Sequence, residues 1–181
     1  MKKIMFNDKF GLTQAVLEGR KTMTRRIAKG EIPLGNWEET EKYAPYQVGE
    51  VVAISQSYKD IYLDSGSVYK IGLLCGTAGW RNKMYVRADE MQHHIKITNI
   101  RIERLQDISD EDCLREGIRL WEDAVPEYKL NSLGKLYEIA GRWDGYKSPR
   151  DAFAALIDKV SGRGTWQSNP LVWVYEFKLV D

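Results

Sequence analysis

The spacing of apolar and polar positions divides the chain into short, well-punctuated segments. Lys2 to Phe6 reads as a short strand. Asp8 is placed to cap a helix whose apolar positions Leu12, Ala15 and Val16 fall three and four apart, on one helical face. Gly19 is placed to end that helix in a left-handed conformation. Arg20 to Ile27, with β-branched or apolar residues at 22, 23, 24 and 27, reads as a strand entered by a tight turn. Residues 28–47 mix Gly30, Pro33, Gly35 and Pro45 with charges and read as a long surface excursion. A Val48-Gly49-Glu50 turn then leads into the apolar strand Val51 to Ile54. The stretch 56–82 is uneven, with a strand expected around Val68 to Leu74, and Met84-Tyr85-Val86 reads as another. From Ile95 to Leu105 the apolar residues fall at 95 and 97, then at 100 and 102. That change of phase within one strand predicts a bulge near Thr98-Asn99.

Two helices carry their own start and stop signals. Ser109-Asp110-Glu111-Asp112 resembles a capping box, with Ile108 and Cys113 at the staple positions and Gly117 past the end. Ser148-Pro149 opens a second helix with proline at its first position. Phe153, Leu156, Ile157 and Val160 then recur as one buried stripe, and Gly162 stops it. Residues 122–147 suggest one helix near Lys135 to Ala140 and a turn at Asp144-Gly145. The loop 162–170 leads into Leu171 to Val180, apolar on both faces and therefore a central strand. Strands outnumber helices without regular βαβ alternation, which predicts an α+β fold: a small, mostly antiparallel barrel or curled sheet with helices packed on it.

The chain has 181 residues, the size of one domain, so residues 1–181 are read as a single unit. Lys+Arg 27 against Asp+Glu 26 leaves a net charge of +1, which argues against a surface coated for bulk DNA binding but not against a local basic patch. The two cysteines, Cys75 and Cys113, form no disulfide framework and lack CxxC metal spacing. His93 and His94 are adjacent on a strand, face opposite sides and point away from a zinc site. Asn7-Asp8-Lys9 interrupts the N-terminal segment before a signal-peptide core forms, and no apolar run is long enough to span a membrane. A soluble protein of the reduced cytoplasm is the expectation, with no cofactor and no metal implied.

Three segments are candidates for chemistry. From Arg20 to Lys29 five of ten residues are basic. That density reads either as a solvated strand edge, or as an anion or nucleotide-phosphate site, or as a Lys21–Thr24 catalytic pair in which the amine takes the hydroxyl proton. On a straight strand Lys21 and Thr24 face opposite sides, so the pair requires Lys21 to lie in the turn before the strand. Asp107 to Glu116 is acidic. Its first-turn carboxylates complement the helix dipole, whereas Glu116 at the far end reads on its own as an exposed helix residue. In the loop 162–170, Trp166 either stacks on a base or folds onto the core.

The run Gly19-x-Lys21-x-x-x-x-Arg26 resembles the signature of the ASCH domain family, a branch of the PUA-like barrels. The resemblance continues through Val48-Gly49-Glu50, Trp80-Arg81, Arg101 to Ser109 and Glu116-Gly117-Ile118. It ends in Trp166-x-x-Asn169-Pro170-x-Val172-Trp173-Val174-x-Glu176-Phe177, a pattern like that of ASCH proteins common in phages and prophages. The family resemblance implies a cleft suited to a nucleotide or modified base. Gly19-Arg20-Lys21-Thr22-Met23-Thr24 is similar to the branch of shorter amidohydrolases that remove the acetyl group from N4-acetylcytidine. Many other members carry Glu where this chain has Thr24. That similarity implies Lys21 as general base, Thr24 as nucleophile and Glu116 as proton donor, with Arg20, Arg26, Trp166 and Asn169 as ligand contacts. The excursions 28–47 and 119–147 are absent from the short enzymes and are expected to reshape the cleft. The alternative is a non-catalytic module holding RNA or single-stranded nucleic acid, with Arg20, Arg25 and Arg26 on phosphates.

Overall fold

The computed structural model describes residues 1–63, 66–120, 136–139 and 145–180. Strand β1 (Lys3–Ile4) and a 3-10 turn at Asp8–Phe10 lead into helix α1 (Leu12–Leu17), strand β2 (Met23–Ile27), helix α2 (Trp37–Glu41) and strand β3 (Val51–Ile54). Helices α3 (Tyr58–Leu63) and α4 (Val68–Leu74) and three 3-10 turns precede the long strand β4 (His94–Arg104). Helix α5 (Asp110–Arg115), the short strands β5 (Ile118–Leu120) and β6 (Tyr137–Ile139), helices α6 (Pro149–Ser161) and α7 (Thr165–Ser168), and strand β7 (Leu171–Leu179) complete the order.

Five strands pair in the order β1-β3-β4-β7-β2, and β5 pairs separately with β6. Only β1–β3 is parallel; the other three pairings of the large sheet are antiparallel. The class is therefore α+β with a mostly antiparallel sheet. Among the described residues no closed barrel forms, and β1 and β2 remain the two edges. β7 is central, as its two-faced apolar pattern predicts, and buries Val172, Trp173, Val174 and Tyr175. The β4–β7 register shifts between Ile97 and Asn99, at the predicted bulge. One main core joins Phe6, Phe10 and Val16 to β3, β4, β7 and the Phe153-Leu156-Ile157 stripe of α6. A smaller cluster gathers Ala53, Ile61, Val86 and Met91. Val160, expected in the buried stripe, is exposed. Among the described residues no helix is long and apolar enough to cross a membrane.

Several local expectations are overturned. Val68–Leu74 is helical, not extended, because its apolar residues lie on every face and no period distinguishes the two states. Met84 lies in a 3-10 turn, not a strand, since the Asn82 side chain accepts a hydrogen bond from its backbone N–H. Asp8 does not cap α1, whose N-cap is Gly11 without a side-chain bond; Asn7 caps the 3-10 turn before it, accepting from the N–H of Lys9. The excursion 28–47 contains α2, and the loop 162–170 contains α7. Tyr137–Ile139 pairs with β5 instead of forming a helix. Lys135, Ala140 and Asp144 lie outside the described residues, as does most of the 119–147 excursion.

Candidate active site

Helix α1 ends as its sequence dictates: Gly19 adopts φ +72°, a left-handed value that an L side chain resists. The chain then turns back, and the backbone N–H of Lys21 donates to Ala15 O at 2.8 Å. Lys21 thus stands in the turn before β2, the condition under which it and Thr24 can share a face. Thr22 N–H donates to Arg115 O at 3.0 Å and ties the start of β2 to the end of α5. The two segments are far apart in sequence and adjacent in space.

That tie brings Glu116 to Lys21. The Lys21 Nζ donates to Glu116 Oε2 at 2.5 Å and to the Glu116 carbonyl at 2.8 Å. Glu116 is 4% exposed and Lys21 2%, so the expectation of a solvent-facing Glu116 is overturned. Two cations outweigh the unfavourable helix end: Arg25 Nη1 also reaches Glu116 Oε1 at 3.3 Å. Gly117 packs against the Lys21 stem and adopts φ +103°, a backbone conformation that an L side chain resists.

Arg25 is the hub that sequence reasoning did not place in the catalytic set. Its Nη2 contacts Glu103 Oε1 at 2.6 Å and Asp112 Oδ2 at 2.9 Å. Arg101 continues the network to Glu103, Asp112 and Glu176, and Arg115 closes it on Glu176 at 2.8 Å. These pairs fix α5 against β2, β4 and β7. The acidic cap of α5 therefore does more than complement a dipole: Asp112 anchors the helix that carries Glu116. The basic run 20–29 is the signal that contains Arg25, but its partners lie far along the chain and no spacing announces them.

A cleft of 420 Å³ runs along the open edge of β2 and is lined by Lys21, Thr24, Arg25, Arg26 and Glu116, with Phe153 and Leu156 of α6 on its apolar wall. Because β2 is an edge strand, side chains from both of its faces reach this cleft. Thr24 is 4% exposed and pairs across the sheet with Tyr175. Burial holds the Lys21 amine below its ordinary pKa of 10.5, opposed by the attraction of Glu116 and assisted by the nearby charges of Arg26 and Arg25. An amine so placed is closer to acting as a base than a solvated lysine is.

The remaining predicted contacts separate. Arg26 lines the cleft, with its Nη2 donating to Met5 O at 2.5 Å and its guanidinium 5.7 Å from the Phe6 ring centre. Arg20 does not reach the cleft lining; it pairs with Glu18, Nε to Oε2 at 2.7 Å. Trp166 packs edge-on against Phe153 at 6.2 Å and under Arg150, outside the cleft lining. Asn169 adopts φ +43° and accepts from Gln106 N–H at 2.8 Å, so its side chain secures the entry to β7. His94 lies in β4, as expected, and His93 directly precedes it. Phe6 and Lys29 also line the site; Phe6, just past β1, carried no signal beyond its hydrophobicity. Among the described residues no group of three or more His, Cys, Asp or Glu side chains is arranged to hold a metal ion. No family model, curated protein or solved structure matches the chain.

Proposed function

We propose that the chain is an amidohydrolase of the ASCH, PUA-like type that cleaves an N-acylated pyrimidine nucleoside such as N4-acetylcytidine. One observation carries the reading: an amine, a hydroxyl and a carboxyl from positions 21, 24 and 116 line one cleft, with the amine buried and its pKa lowered. The mostly antiparallel sheet with packed helices supports the PUA-like part of the proposal, and two unpaired cysteines fit a cytoplasmic setting.

The chemistry balances with the single proton that Lys21 and Glu116 share. In the reactive form Lys21 is neutral and Glu116 holds the proton. Lys21 takes the Thr24 hydroxyl proton as Oγ1 attacks the acyl carbonyl. The tetrahedral intermediate collapses with breakage of the C–N bond, and Glu116 gives its proton to the departing exocyclic nitrogen. Water then attacks the acyl-Thr24 ester, losing a proton to Glu116. Thr24 departs and recovers its proton from Lys21, which restores both groups. Arg25 takes no part in proton transfer; it holds Glu116 in place.

Incubation with N4-acetylcytidine is expected to release cytidine, read by chromatography. Thr24→Ala is expected to lower kcat about a thousandfold or more, and Lys21→Met by about 10²–10⁴-fold. Wild type that releases no cytidine, or Thr24→Ala that releases as much, overturns the reading. The competing module reading is favoured by the cation Arg26, which has no carboxylate partner among the described residues. It would show as RNA binding that weakens steeply with salt, without turnover.

A further inference from the structure

Three of the cations around the cleft are already neutralised. Lys21 is held by Glu116, Arg25 by Glu103, Asp112 and Glu116, and Lys83 by Asp8 at 2.7 Å. Arg26 is not. It is half-buried, its Nε is shut off from solvent without a hydrogen-bond partner, and no carboxylate among the described residues pairs with it. Glu116, the acid whose field reaches it, is already shared by Lys21 and Arg25. Burial holds the Arg26 guanidinium below its ordinary pKa. A half-buried guanidinium whose charge meets no carboxylate is stabilised when an anion in the cleft pairs with it.

Arg26 also occupies a junction. A second cleft of 470 Å³ shares Met5, Phe6, Asn7, Arg26 and Val160 with the first and adds Lys9 and the Asp8–Lys83 ion pair. Lys29 lies on the first cleft and Lys9 on the second, both exposed and without an ion-pair partner among the described residues. The space beyond the reaction centre is thus bordered by three cations that no protein carboxylate satisfies. A guanidinium that lines both clefts, with one unpaired lysine on each, suits a dianionic phosphate better than a monoanionic carboxylate.

We propose that the site takes its pyrimidine as a phosphate ester, a nucleoside monophosphate or an RNA end, with the phosphate on Arg26 between Lys29 and Lys9. The proposal rests on the hydrolase reading for the orientation of the base toward Thr24, and on Arg26 alone for the phosphate. The full chain is titrated calorimetrically with cytidine, cytidine 5′-monophosphate, cytidine 3′-monophosphate and inorganic phosphate, at low and at physiological salt. One of the two monophosphates is expected to bind at least about tenfold more tightly than cytidine, with the gap narrowing as salt rises. Arg26→Gln is expected to abolish that gap, and Lys29→Ala, at an exposed position, to narrow it. Equal affinity for cytidine and both monophosphates overturns the proposal. So does a preference that survives Arg26→Gln, or inorganic phosphate that binds as tightly as the nucleotides. Deacetylation measured alongside separates the two readings. Turnover without phosphate preference removes this proposal and leaves the hydrolase, whereas Arg26-dependent nucleotide binding without turnover does the reverse.

Discussion

Lys21 carries a cost that pH can expose. Its folded pKa lies below 10.5 because burial, the dominant influence, removes water from the ammonium. Below the folded pKa both folded and unfolded chains hold the proton, and Lys21 contributes no pH dependence. Between the folded pKa and 10.5 the unfolded chain holds more protons than the folded one, so stability rises with pH in that window and levels off above it. Urea unfolding followed from neutral to alkaline pH is expected to show this rise, and Lys21→Met to lack it. The rate should fall through the same folded pKa, because loss of the one proton that the pair shares leaves Glu116 nothing to give the departing nitrogen. Glu116→Gln removes the carboxylate paired with a buried ammonium and is expected to cost about 3–5 kcal/mol. In combination with Lys21→Met the loss should be clearly smaller than the sum, a coupling that denaturant titration of all three variants would measure.

At the scale of elements, caps and strand phases were legible because their causes are local. Ser109 accepts from Asp112 N–H and Ser148 from Asp151 N–H, as the two start signals indicate, and the slip at Ile97/Asn99 follows from a change of phase visible along one strand. Segments lacking such a cause were misread: Val68–Leu74 buries nothing to set a period, and the Tyr137–Ile139 strand depends on a partner at 118–120. The site was half legible. The Gly19 turn placed Lys21 correctly, but the burial of Glu116 depends on Arg25, Asp112 and the Thr22–Arg115 tie, which no spacing reports. The two caps offer a matched test of what α5 does. Ser109→Ala and Ser148→Ala should each cost about 1 kcal/mol of stability. Only Ser109→Ala loosens the helix bearing Asp112 and Glu116, so only it should depress kcat on N4-acetylcytidine; equal kcat in the two variants would sever α5 from the chemistry.

Across the whole molecule, α5 is held by the core beneath it as well as by its ion pairs. Cys113 lies in the main core, fully buried, and burial pushes its thiol up to about 12. Cys75, at the end of α4, is exposed. Reactivity toward a disulfide reagent requires both access and thiolate, and Cys113 in the folded chain has neither. At pH 8 one thiol per chain is therefore expected to react at once and the second only as the protein opens. If α5 is bound into the core as tightly as its contacts indicate, the slow phase at high reagent concentration should match the global unfolding rate measured by fluorescence. A second thiol reacting much faster than the molecule unfolds would mean that α5 detaches on its own. Glu116 would then leave Lys21 each time it did, and the preorganised proton pair on which hydrolysis depends would be present for only part of the time.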